Sequence, residues 1–570
     1  MMNTLESALK GAIAKLGFSA DTISVSVPKE AGRGDCMTSV ALALAKATPA
    51  TPAPEIAQSI VTEMEKNKPA FVDRIEVAGP GFINFYFTKE YFRDTVSEIL
   101  SRNEKWGTND LHKGEKILVE HSSPNLFKPF HIGHVMNNAI GESITRLARF
   151  SGATVTSIAY PSDVSLGVGK AVYVLVHDGG IEKLDSYADP LEALSYMGDC
   201  YVRGTKLFEE DEAAAKEIRM ITSELYEKKS DSLAYQVYEK AKNINLEYFK
   251  TITSSLGSTF DDFIYESEAG TEGAKIVRDN TPAIFKESEG AFIYEGEQDG
   301  LHTRVFINKD GYPTYEAKDI GLLSLKFKKY APDLSIFITD HEQQDYFKVV
   351  IAAAGKINKE WQEKTVHRTH GRMAFKGQKM SSRLGGVPLA QTVVDTLLEE
   401  VSERAKRLEK GEEASTIHAI AIASLKFVIL RAMAGKNINF DPETSLSFEG
   451  DSGPYLQYTA VRASSISEKA EKENIVLSTE LPESWNTSEL ERMLIQFPGI
   501  VERSEREWAP HHIVNYLLSL GQTFNSWYAV TKIVDKDDTS STYKLALTEA
   551  FRITMKNGLY LLGIETPERM

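Results

Sequence analysis

The sequence predicts a multidomain α/β protein that turns helical towards its C-terminus. Three observations carry this reading. At 570 residues the chain exceeds one ordinary core, and two to four domains of ~100–200 residues each are expected. Either side of a charged helical stretch, between residues 116 and 390, short apolar runs alternate with helical patterns, as in α/β units. Beyond about residue 390 the apolar spacing is helical almost throughout.

Composition narrows the class. Apolar residues make up 42% and charged residues 26%, the balance of a soluble globular protein. The opening "MMNTLESALKGAIAKLGF" places Glu6, Lys10 and Lys15 inside an amphipathic pattern. That is neither a secretory apolar region nor a spanning segment, so no membrane association and a cytoplasmic location are expected. The cysteines are Cys36 and Cys200, far apart, which excludes a disulfide framework and a cysteine-rich zinc site within the chain. The formal charge of 65 − 81 = −16 argues against indiscriminate nucleic-acid binding and leaves room for a local basic track.

In chain order, residues 1 to about 95 read as a small α/β unit. A helix opens it, a second lies near "SVALALAKA", and "TPATPAPEIAQ" reads as a loop and helix start. In "FVDRIEVAGPGFINFYF", Gly79, Pro80 and Gly81 punctuate two alternating apolar runs, as a tight turn between paired strands would. "KILVE" at 116–120 begins a strand, a turn-rich loop and a helix in which Ile140, Ile144, Leu147 and Phe150 keep helical spacing. Residues 171 to 300 are mostly charged amphipathic helix and read as an insertion carrying less chemistry. "TRVFINKDGYPTYEAKDIGLL" and "DLSIFITDHEQQDYFKVV" fit a second α/β half, and helices follow to the terminal "GLYLLGIETPERM". No internal repeat or low-complexity tract interrupts the chain.

The stretch "HSSPNLFKPFHIGHVMNNA", residues 121 to 139, holds three histidines, a lysine and no acid in an otherwise acidic protein. His131 and His134 could be a pair on the first turn of a helix, satisfied by solvent or neighbours. They could face a metal, although the HExxH glutamate and a third ligand are missing. The context of a strand end running into a helix N-terminus favours phosphate. There Lys128 and two donor imidazoles would add charge-assisted contacts, and Gly133 would leave room for a nucleotide against the backbone.

"HIGH" at 131–134 and "KMSSR" at 379–383 together resemble the paired signatures of class I aminoacyl-tRNA synthetases. Four longer strings, "EHSSPNLFKPFHIGH", "VAGPGFINFYF", "LSFEGDSGPYLQYTAVR" and "GLYLLGIETPERM", resemble the arginyl-tRNA synthetase family. The resemblance implies a tRNA-elbow-contacting α/β domain (1–108), a Rossmann-type parallel-sheet catalytic domain (109–390) with a helical insertion at about 171–300, a helical connector (391–450) and an all-α anticodon-binding domain (451–570). It also implies ATP-dependent attachment of L-arginine to tRNA(Arg) through an arginyl-adenylate, with Mg²⁺ assisting, by a monomer.

The resemblance assigns residues as well. Lys128, His131, Gly133, His134 and Lys379 are the expected catalytic set, with Met380, Ser381 and Ser382 also on ATP. Ser382 stands where the class pattern has a second lysine, a variation for which Lys128 offers a compensating charge. Arginine selection needs buried acceptors for a planar five-donor guanidinium; Glu120, Asn125, Tyr315, Asp319 and Gln343 fall at matching positions, with Asp319 its natural partner. Asp163 is carried as a contact to the α-amino group, although Ser162, Ser165 and Gly167 depart from the family pattern around it. For tRNA, Phe82 and Asn84 match elbow-contacting positions. Tyr455, Tyr458 and Arg462, at i, i+3 and i+7, with Tyr528, offer aromatic and arginine contacts to splayed bases. The alternative is that this stripe is core between helices. Two rivals stand beside this reading: another HxGH nucleotidyltransferase, and a non-catalytic paralogue that binds RNA or a protein. His121 is expected to be structural.

Overall fold

The computed structural model describes residues 2–20, 23–28, 32–376, 388–407 and 413–570. The chain divides into two compact units. One comprises Met1–Gly107, Arg462–Ile500 and Ser519–Asn557, the other Thr108–Val461, Val501–Leu518 and Gly558–Met570.

In the first unit four strands, β1 (Val25–Ser26), β2 (Cys36–Thr38), β3 (Val72–Ala78) and β4 (Phe82–Phe87), form a sheet of order β1-β2-β4-β3. Strands β3 and β4 pair antiparallel with Ala78 opposite Phe82, the hairpin anticipated at "GPG". Gly79 (φ 52°) and Gly81 (φ 124°) adopt backbone angles that L side chains rarely take. Helices Met2–Lys15 and Ala53–Glu65 cover one face, burying Leu5, Leu9, Ile56 and Ile60 against Ile83 and Phe85. Period-2 and period-3.6 apolar patterns thus meet in one core.

The second unit is built on five parallel strands: β5 (Lys116–Glu120), β6 (Thr154–Ala159), β7 (Asp262–Phe263), β11 (Leu334–Asp340) and β12 (Thr365–His370), in the order β12-β11-β5-β6-β7. From β5 the chain leaves through helix Ile132–Phe150 to β6 on one side, while β11 pairs on the other. This reversal is a topological switch point, where open parallel sheets bind ligands at the carboxyl ends of their strands. Ile117, Val119, Ile336 and Ile338 pack with Ile144 and Ala148 of that helix.

The region expected as an insertion is helical from Leu166 to Ser255 and again over Glu266–Asp279. It then forms a small antiparallel sheet of β8 (Lys286–Ser288), β9 (Ala291–Tyr294) and β10 (Arg304–Ile307). Its last helix crosses helix Tyr315–Tyr330 at very close range: a Cβ on Gly273 would lie 1.8 Å from the Ala317 carbonyl oxygen, and one on Gly321 would lie 1.9 Å from that of Ala269. Beyond Ala390 the described elements are helical apart from β14 (Ile438–Phe440), which pairs with β13 (Met373–Phe375). One described helix, Ala414–Arg431, is long and apolar enough to cross a membrane, and it is mostly buried within the protein.

Candidate active site

A cavity of about 800 Å³ opens at the carboxyl edge of the parallel sheet. Its wall includes Glu120 at the end of β5, Tyr160 just beyond β6, Asp340 ending β11 and His370 ending β12. The switch point and the cavity therefore coincide.

The loop from β5 into helix Ile132–Phe150 is held by side chains from several elements. Ser122 (φ 60°) and Phe127 (φ 63°) sit in the left-handed region without being glycine, a strain that neighbouring contacts must sustain. The Ser122 N–H donates to Asn137 Oδ1 (2.7 Å) and the Phe127 N–H to Asn245 Oδ1 (3.0 Å), while the Leu126 N–H donates to the Ser162 carbonyl (3.1 Å) and the Ser162 N–H to the Pro124 carbonyl (2.9 Å).

At the helix start His131 is the N-cap. Its Nδ1 accepts from the Gly133 N–H (3.2 Å), and His134 Nδ1 accepts in turn from the His131 N–H (3.1 Å), a reciprocal capping box made of two imidazoles. The rings stack with centroids 3.8 Å apart. Burial pushes both histidines below the ordinary value, assisted by Lys128 at His131 and by His131 and His370 at His134. An imidazole that accepts at Nδ1 and resists protonation is neutral, with Nε2–H as its donor. The charge-assisted donors expected from the sequence are thus corrected to neutral ones. A Cβ on Gly133 would lie 3.0 Å from His131 Cε1, so this glycine makes room for the capping ring, a use the sequence reading did not foresee.

Five carboxyls line the cavity: Glu120, Glu266, Asp319, Asp340 and Glu342. Glu120 is ion-paired with buried Lys326, and Glu266 with buried Lys318. Asp319 accepts from the Tyr346 hydroxyl at 2.5 Å. Burial first, and then Glu120 and Glu266, push its carboxyl up to about 7 in spite of that bond. Of the five, Glu120 and Glu266 are matched by lysines and Asp340 and Glu342 by Arg372, whereas Asp319 is matched by a neutral phenol.

The comparisons with known proteins agree with this architecture. The family model described as "tRNA synthetases class I (R), catalytic domain" matches residues 95–441, well over half of the chain. "Arginyl tRNA synthetase N terminal domain" matches 3–87 and "DALR anticodon binding domain" matches 456–570. The chain belongs to the arginyl-tRNA synthetase family. An arginine–tRNA ligase of Clostridium perfringens is 29% identical over 513 residues, covering 88% of this chain and 89% of that protein. One from Lactococcus lactis is 28% identical over 579 residues, covering 99% and 98%. The solved arginyl-tRNA synthetases of Thermus thermophilus (TM-score 0.79, 22% identity, 100% of both chains) and Plasmodium falciparum (TM-score 0.78, 17% identity, 100% and 99%) share the fold.

Of the residues that the synthetase resemblance singled out, Glu120, Asn125, His131, Gly133, His134, Tyr315, Asp319 and Gln343 line the one cavity. Lys128 does not: it is exposed, its ammonium 4.4 Å from the Tyr201 ring centroid. Asp163 is corrected. It is fully buried and off the wall, accepting from Tyr238 Oη (3.0 Å), Lys242 Nζ (3.0 Å) and the Ser267 N–H and Oγ (both 2.9 Å). With both oxygens engaged and no exposed surface, it anchors the loop beyond β6. Lys379, Met380, Ser381 and Ser382 lie outside the described residues.

At the tRNA positions, Asn84 is only 4% exposed and Tyr455 is buried, so neither offers a surface contact; β-sheet pairing and helix packing claim them. Phe82 and Tyr458 are half-buried. Arg462 donates to Asn525 Oδ1 (2.5 Å) and lies over the Tyr528 ring at 5.8 Å, and Tyr528 is 40% exposed. Sequence reasoning missed Tyr160, Glu266, Lys326, Tyr346, His370 and Arg372 on the wall. Tyr346 alone had a local signal, three residues beyond Gln343; Glu266 lies in the stretch credited with less chemistry.

Proposed function

We propose that this cavity is where L-arginine and ATP meet and that its residues carry the family reaction. The reaction attaches arginine to the 3′ end of tRNA(Arg) through an arginyl-adenylate. The arginine carboxylate oxygen attacks the α-phosphorus of ATP, the bond to the bridging oxygen breaks, and pyrophosphate leaves. A terminal ribose hydroxyl of tRNA then attacks the adenylate carbonyl, and AMP departs with the electron pair.

Asp319 receives the guanidinium, between Tyr315 one turn away and Tyr346, whose hydroxyl orients the carboxylate. Asn125, Glu120 and Gln343 complete the arginine subsite. His131 and His134 offer neutral Nε2–H donors to the nucleotide, suited to charge that develops on phosphate without the desolvation cost of buried cations. Lys128, and Lys379 with Met380, Ser381 and Ser382, supply the remaining contacts to the phosphates. Among the described residues no group of three or more His, Cys, Asp or Glu is placed to hold a metal ion. Mg²⁺ accordingly belongs with the incoming ATP and enters as part of that substrate. Tyr458, Arg462, Tyr528 and Phe82 serve tRNA, and the enzyme works as a cytoplasmic monomer.

The observation that carries this reading is Asp319: a half-buried residue whose carboxyl is raised to about 7, on the wall of a cleft with four further acids. A bound cation would relieve that penalty. Arginine-dependent exchange of pyrophosphate into ATP, with and without tRNA(Arg), tests it. Asp319→Asn is expected to raise the arginine KM by about tenfold or more and to leave the ATP KM within about twofold. An equal loss on both substrates would remove Asp319 from the arginine subsite.

A further inference from the structure

Tyr160 is a wall residue whose hydroxyl has no hydrogen-bond partner among the described residues. It follows β6 directly, and its N–H donates to Ser123 Oγ (3.1 Å), which holds it at the carboxyl edge of the sheet. The residue packs against the apolar cluster of Leu118, Ile158, Ile264, Ala269 and Leu322, and it lines the cavity. Its hydroxyl is buried, yet no described residue hydrogen-bonds it. Buried hydroxyls without partners are uncommon, because they forfeit water and gain nothing.

The surroundings indicate what would complete it. Burial holds the phenol protonated, and the acids bearing on it, Asp319, Glu266, Glu120 and Asp163, act in the same direction. A neutral phenol among carboxyls offers lone pairs to an incoming donor without adding another negative charge. A guanidinium has five donors in one plane, more than a single carboxylate can satisfy. We infer that Tyr160 is a specificity-determining residue of the arginine subsite, its hydroxyl oxygen accepting from the same guanidinium that faces Asp319. This rests on the assignment of Asp319 above and adds to it an acceptor that comes from a different strand end.

The test is Tyr160→Phe in the full-length protein, with tRNA arginylation measured against arginine and against ATP. The arginine KM should rise about tenfold, the loss of one bond to a charged donor, with kcat and the ATP KM within about twofold. The melting temperature of the ligand-free protein should stay unchanged, because no bond is lost in the empty site. Inhibition by δ-guanidinovalerate, which keeps the guanidinium and lacks the α-amino group, should weaken by the same factor as arginine. An unchanged arginine KM, or a melting temperature lowered by several degrees, overturns the inference. So does a raised KM with δ-guanidinovalerate unaffected, which would assign the hydroxyl to the α-ammonium. Asp319→Asn run in parallel separates the failures: no effect there sinks the arginine subsite itself, whereas an effect there and none at Tyr160→Phe sinks the Tyr160 role alone.

Discussion

At the scale of single residues, the site works by withholding charge from some groups and concentrating it at others. Asp319 is raised from 3.8 to about 7, so between those values the folded protein keeps a proton that the unfolded chain has released. Its contribution to stability therefore falls as pH rises through that window. On the proposed assignment arginine binds the ionised form, so a proton must leave when arginine binds below pH 7. The arginine KM should accordingly climb by up to tenfold per unit as pH drops below about 7, and this dependence should vanish in Asp319→Asn. His121 shows the opposite sign. It is buried between Ser122 Oγ (2.8 Å) and Ser157 Oγ (3.2 Å), and burial lowers it from 6.5 to about 3. The unfolded chain binds the extra proton between those values, so stability is lost as pH falls from 6.5 towards 3. His121→Phe should flatten part of that acid limb in denaturation curves. The same ring explains Gly141, where a Cβ would lie 2.2 Å from His121 Cγ. Gly141→Ala should cost about 1–3 kcal/mol of stability by overpacking, measurable by urea denaturation.

At the scale of elements, two arrangements position the chemistry. The first is the imidazole capping box, which ties the orientation of both histidines to the N–H groups of their own helix. The second is the close crossing of helices Glu266–Asp279 and Tyr315–Tyr330, which carry Glu266 on one side and Tyr315 and Asp319 on the other. With Gly273 and Gly321 at the crossing, backbone nearly touches backbone. Gly273→Ala must push the helices apart. It should cost about 1–3 kcal/mol and raise the arginine KM more than the ATP KM; a rise confined to ATP would separate this crossing from the arginine subsite. The terminal string is also explained at this scale. Backbone carbonyls of Tyr560, Leu561 and Gly563 accept from Arg146 Nη1 (2.9 Å), Ser143 Oγ (2.8 Å) and Lys426 Nζ (2.5 Å). The chain end is thereby bonded to the helix that begins with the histidine cap.

At the scale of the whole molecule, a net charge of −16 must coexist with a polyanionic substrate. Binding of tRNA should weaken steeply as salt rises, through release of counterions. A flat salt response in filter-binding titrations would deny that phosphates are contacted by cationic side chains. Much of this protein was legible in its sequence because the signals are local. Alternation with a glycine turn specified the β3–β4 hairpin, apolar spacing specified the helices, and strand-loop-helix order with the two short signatures specified the class and fold. Eight predicted residues share one cavity wall because a parallel sheet gathers its carboxyl ends at one edge whatever lies between them in the chain. What only the tertiary structure decided depends on neighbours remote in sequence. Asp163 lost its substrate role to Tyr238, Lys242 and Ser267, and Asn84 and Tyr455 lost surface roles to packing. The histidines are neutral because burial penalises their charge, and Glu266, Tyr346 and Tyr160 joined the site by folding. Periodicity records which face of an element is apolar; it does not record which polar groups will be desolvated together, and that is the quantity on which both charge state and function depend.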